Sequence, residues 1–233
     1  MVKGMVSQND DTLPTTAYAV LALLALRSWT GYELTQQAKR SLHFVWPKAE
    51  SLLYAQPPRL VAAGLARVEV EQVGGRKRNR YSITRAGRVA LRRWLATAPA
   101  APQLDAEPAL RFAFASLGTM EDARRSIDVL RRWARENFVA GLATMESHAD
   151  GARPFPERDH INVLLGQLFG NVCRCVLEWC DLAEDELSRW NDVDDPGPDA
   201  RTSELLAEGL TWSRALLTQL GAGSPSDKAE TRS

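Results

Sequence analysis

The sequence Gly31-Tyr32-Glu33-Leu34, followed by Leu53-Tyr54, Gly74-Gly75-Arg76-Lys77-Arg78 and Arg80-Tyr81-Ser82-Ile83-Thr84-Arg85-Ala86-Gly87, decides the fold of this 233-residue chain. Upstream of it, Ala17, Val20, Leu21, Leu24 and Ala25 recur at helical spacing behind Pro14, a residue suited to a first helical turn. This first helix is expected to end near Arg27. Thr30 is placed to cap a second, short amphipathic helix carrying Tyr32, Leu34 and Ala38. A third helix is predicted over 48–56, with Leu52 and Leu53 inward and Lys48, Ser51, Tyr54 and Gln56 outward. Pro57-Pro58 either breaks or kinks that helix, or opens a new one from Pro58 to Ala63 that Gly64 stops.

Leu65 to Gln72 alternates as a half-buried strand, Gly74-Gly75 turns the chain, and the return strand runs through Arg80 to Ile83. Three helices and a two-stranded wing make a winged helix-turn-helix, which offers one helix to the DNA major groove and one loop to the flanking phosphates. The expected DNA-contacting residues are Lys48, Ser51 and Tyr54 on the third helix and Arg76, Lys77, Arg78 and Arg80 on the wing. Tyr32 and Tyr81 are expected to pack the core with their hydroxyls at its edge.

Charge supports this division of labour. The chain carries 29 basic and 29 acidic residues, but residues 1–97 hold 15 basic against 6 acidic, and residues 98–233 hold 14 against 23. A basic half joined to an acidic half suits a nucleic-acid face on the first. No uninterrupted apolar run approaches a membrane span, and the start lacks the apolar core of a secretory signal, so a cytoplasmic location is expected. Three cysteines confined to 173–180 fit a reducing compartment and read as core sulfur, with a redox switch as the alternative. They and His148 and His160 lack metal-ligand spacing. The acidic loop with Asp192, Asp194, Asp195 and Asp199 is expected to be a solvated, helix-capping segment, with calcium binding as the alternative. There is no Gly-rich phosphate loop and no nucleophile or zinc-protease motif, so neither enzymatic activity nor a cofactor is expected.

Residues 1–12 are expected to be a flexible arm, 13–97 the winged helix, and 98–108 a linker rich in Ala and Pro. Residues 109–220 are expected to form an all-helical dimerisation domain, with a disordered tail over 221–233. In that domain Leu110, Phe112 and Phe114 begin a helical turn, and Thr119 with Asp122 resembles a capping pair. Ile127, Leu130, Ala134, Phe138, Leu142 and Met145 trace a long helix, and a matching stripe runs from Ile161 to Trp190. Leu205, Leu206, Leu210, Leu216, Leu217 and Leu220 suggest a last helix. Phe112, Phe114, Trp133, Phe138, Trp179 and Trp190 are candidates for an apolar effector pocket, weighed against plain core packing.

The combination of Ala19–Leu26, Gly31-Tyr32-Glu33-Leu34, Leu53-Tyr54, Leu60 with Gly64-Leu65, and Arg80 to Gly87 leading into Leu91 and Trp94 resembles the PadR family of bacterial transcriptional regulators. The second half, over 109–190, resembles the long-subtype, virulence-activator-like helical domain of that family. Pro57 departs from the family pattern, which usually continues the third helix with a leucine. The resemblance implies a homodimeric repressor that binds an inverted-repeat operator in double-stranded DNA and, in many members, releases it on binding a small apolar or aromatic molecule. It also implies DNA contact by Tyr54 and by Arg76, Lys77 and Arg78. The competing reading is a winged-helix adaptor that binds a protein partner without specific DNA binding.

Overall fold

The computed structural model describes residues 13–42, 53–151 and 155–221. The chain divides into two compact units, 1–103 and 104–233.

The first unit is built around α1 (Thr15–Leu26), which starts behind Pro14 and is apolar on nearly every side. Ala17, Val20, Leu21 and Leu24 are buried, because α2 (Gly31–Leu42), α3 (Gln56–Ala62), α4 (Arg85–Leu95) and the sheet all pack against this helix. A helix apolar all round is stable only when surrounded in this way. Tyr18 stacks on Trp94 of α4 with ring centroids 5.0 Å apart. At the end of α1, the Trp29 indole N–H donates to the Leu23 carbonyl at 2.8 Å, and the Arg27 guanidinium lies 3.9 Å from the Trp29 ring centre.

The prolines settle between the two sequence expectations. The helical turn at Leu53-Tyr54 ends in a turn at Ala55, and Gln56 opens α3 with Pro57 and Pro58 in its first turn, where a missing N–H costs nothing. The helix expected over 48–56 therefore stops short of Gln56. Its residues Lys48 and Ser51 lie outside the described residues. Gly64, at φ +71°, ends α3 in the left-handed conformation that glycine adopts without strain.

The wing consists of β2 (Ala66–Val73) and β3 (Arg76–Ile83), paired antiparallel from Ala66 opposite Ile83 to Val73 opposite Arg76. Gly74 and Gly75 both have positive φ, as the tightest hairpin turn requires. The sheet is three-stranded rather than two-stranded. A two-residue strand, β1 (Trp29–Thr30), adds to β3 opposite Tyr81 and Arg80, giving the order β1-β3-β2. The base of the wing is buried through Ala66 and Ile83, whereas Val68 and Val70, which alternation puts on the same face as Ala66, are exposed, since no described element covers the outer hairpin.

In the second unit α5 (Glu107–Ala113) leads through a short 3-10 turn into α6 (Met120–Ala149), which Thr119 and Asp122 start with a reciprocal capping box. Helices α6 and α7 (Asp159–Leu187) form the main packing pair. The first half of α6 meets the last half of α7 around Ala123, Ile127, Cys180, Ala183 and Leu187. Arg131 ties the pair by donating to Asp181 at 2.9 Å and Glu184 at 2.5 Å. Cys173 and Cys180 are buried, and burial pushes both thiols up in pKa, as expected of core sulfur. Beyond this core the stripes are uncovered: Phe138, Leu142 and Met145 on α6 and Ile161, Leu165 and Leu168 on α7 are exposed. Helix α8 (Asp199–Gln219) is joined to the end of α7 by Arg201, which donates to the buried carboxylate of Glu186 at 2.6 Å. No helix among the described residues is long and apolar enough to cross a membrane.

Candidate nucleic-acid interface

The wing presents its charge where its local sequence puts it. Arg76, Lys77 and Arg78 follow the glycine turn directly and are exposed, and their side chains form no ion pair with another described residue. Guanidinium and ammonium groups held on a rigid hairpin without internal partners are suited to phosphate oxygens.

Arg80, grouped with them in the sequence, is engaged inside the unit. Its Nε donates to Glu71 on β2 at 2.5 Å, and its Nη1 donates to the Ser28 carbonyl at 3.2 Å and to Glu33 on α2 at 3.4 Å. Glu33 in turn accepts the Thr30 N–H at 2.8 Å, while the Glu33 N–H donates to the Thr30 hydroxyl at 3.3 Å, so the start of α2 is a capping box. The Thr30 backbone donor foremost, with the Thr30 hydroxyl and Arg80 adding to it, holds the Glu33 carboxyl below the usual glutamate range. Arg80 thus spans the wing and the second helix. Sequence alone does not distinguish it from its neighbours, since the acceptors come from three separate segments.

Tyr54 is partly exposed, and its ring edge lies beside Gly31 at the start of α2. Tyr32, expected to pack the core, is 67% exposed instead, whereas Tyr81 is half-buried. An open cleft of about 690 Å³ lies between the start of α2 and β3, with Tyr32, Glu33, Lys77, Asn79 and Tyr81 among its lining residues. Phe112 meets Trp179 edge to face with centroids 5.3 Å apart, and Phe112 and Trp190 border the α6–α7 core. Phe114, Trp133 and Phe138 are exposed.

Residues 20–93 match the family model of the "Transcriptional regulator PadR-like family". This segment, about a third of the chain, is similar to the PadR-like family of transcriptional regulators. The match spans the second half of α1, α2, α3, the sheet and most of α4, and members of this family are regulators rather than enzymes. No curated protein matches the sequence. Among solved structures, Bacillus subtilis PadR in complex with operator DNA is similar, with a TM-score of 0.64 and 19% identity over 75% of this chain and 99% of that one. The same protein in complex with p-coumaric acid superposes with a TM-score of 0.58 and 18% identity over 75% and 99%. The Vibrio cholerae virulence activator AphA gives 0.57 and 22% over 74% and 98%. At these identities the likeness establishes a shared fold, and it extends well past the PadR-like segment into the helical unit.

Proposed function

We propose that this PadR-like regulator is a cytoplasmic homodimeric repressor that binds an inverted repeat in promoter DNA through the 13–97 winged helix and is released by a small aromatic molecule bound in the 109–220 helical domain. The observation that carries DNA binding is the exposed triad Arg76, Lys77 and Arg78, whose side chains form no ion pair with any described residue, at the tip of a hairpin braced against α2. Tyr54, Lys48 and Ser51 complete the proposed contact set, while Arg80 positions the wing from within the unit. Operator DNA in the Bacillus subtilis PadR complex is consistent with that reading. A footprint on the chain's own promoter region is expected to protect two half-sites whose centres lie about one helical turn, roughly 34 Å, apart. Uniform weak protection without half-sites would defeat it.

The dimer reading is supported by the uncovered ends of α6 and α7. Leu142 and Met145 on α6 and Ile161, Leu165 and Leu168 on α7 are large apolar side chains left exposed on one chain. A two-fold partner burying the same face is the simplest cover. Leu168→Glu is expected to convert the dimer to monomer in analytical ultracentrifugation and to weaken operator binding by at least tenfold, whereas an unaltered sedimentation coefficient would place the interface elsewhere. The effector reading is supported by the aromatic residues Trp133 and Phe138 on α6 and Trp179 on α7, the last meeting Phe112 of α5 edge to face, and p-coumaric acid, the ligand in the Bacillus subtilis PadR complex, is the natural first compound to assay.

A further inference from the structure

We propose that the cleft between the start of α2 and strand β3 seats one phosphate of the DNA backbone, with Lys77 supplying charge and Tyr32 and Asn79 supplying hydrogen-bond donors. This rests on the DNA-binding reading above and adds to it a contact in which Lys77 of the wing acts together with Tyr32 at the start of α2. Strand alternation places Lys77, Asn79 and Tyr81 on one face of β3, and all three line the cleft. Tyr32 stands at the second position of α2 and is 67% exposed, so its ring is spent on no core and its hydroxyl is available at the cleft. The one carboxylate lining the cleft, Glu33, is already taken by the Thr30 N–H and by Arg80, which leaves the cationic groups in excess. Arg80, bonded to Glu71, Ser28 and Glu33 together, holds β3 at a set distance from α2. The cleft therefore exists before DNA arrives, and a phosphate entering it orders few side chains.

The test is a double-mutant cycle on the full chain, read by anisotropy on the promoter fragment and on an unrelated duplex. Tyr32→Phe removes one hydroxyl from an exposed ring and leaves thermal unfolding unchanged. It is expected to weaken binding to both duplexes equally, by roughly tenfold, the size of one hydrogen bond to a charged group. Lys77→Ala is expected to reduce the salt slope by about 0.9. Because both side chains serve one phosphate, Tyr32→Phe is expected to cost about threefold or less in the Lys77→Ala background. Wild-type binding by Tyr32→Phe, or losses that multiply independently, would overturn the cleft assignment while leaving DNA binding in place. Failure of the unaltered chain to bind either duplex would overturn DNA binding and the cleft with it.

Discussion

Replacing Arg76, Lys77 and Arg78 together with alanine is expected to weaken binding to every duplex by on the order of a hundredfold at moderate salt, and to flatten the dependence of log affinity on log salt by about 2.7. The slope follows from three phosphates neutralised at about 0.9 counterions each. The loss should be equal on operator and unrelated DNA, because backbone contacts position the protein without reading bases. Stability should change by less than about 0.5 kcal/mol, since the three side chains are exposed and form no ion pair with another described residue. The experiment is a salt titration of the triple variant beside the parent. A parallel slope would remove the wing from the contact surface, and a loss confined to the operator would mean that these residues read bases.

Gly87→Ala is expected to destabilise the first unit by about 3 kcal/mol or more, lowering its melting temperature by roughly 10–20 °C. Helix α4 starts hard against the base of the wing. A methyl group at Gly87 would sit 2.1 Å from the Leu65 carbonyl oxygen and 2.8 Å from Ile83 Cγ1. The first neighbour is backbone and has little freedom to retreat. That carbonyl accepts the Thr84 N–H at 3.0 Å, while the Thr84 hydroxyl donates to the Gly64 carbonyl at 2.8 Å and accepts the Gly87 N–H at 3.0 Å. Moving α4 outward would break this cap and uncover Leu91. Gly141→Ala in α6 makes the same chemical change where no atom outside the helix lies within 4 Å, and should stabilise by about 0.5–1 kcal/mol. Calorimetry of both variants checks the contrast. A Gly87→Ala chain that melts with the parent would mean that α4 and the wing are not packed as described.

The contrast between Gly87 and Gly141 also shows what could be read in the chain beforehand. Helices with long apolar stripes were legible, as were the capping residues Thr30 and Thr119, the glycine turn and the basic wing tip, because each is a local pattern with a local cause. Gly87 was legible only as part of a resemblance, since its necessity comes from a carbonyl 22 residues away. Strand β1, two residues long, carries no periodicity at all and exists because β3 has an open edge beside it. Arg80 looked like one more wing cation, and its acceptors at Ser28, Glu33 and Glu71 become neighbours only when the sheet forms. Val68 and Val70 kept the alternation of a half-buried strand, yet an outer hairpin with no second layer leaves them in water. The stripes of α6 and α7 were read correctly as helices. Their uncovered ends carry the same pattern as their buried middles, so periodicity alone did not show where one chain's core stops.

Specific DNA binding by the winged helix, with phosphate contacts supplying its salt dependence, is tested most directly by fluorescence anisotropy on the chain's own promoter region across a salt series, with unrelated duplex as competitor. The expected result is tight binding to the promoter that survives the competitor and weakens steeply and linearly in log salt. Binding that is weak, equal on both duplexes and insensitive to salt would contradict it.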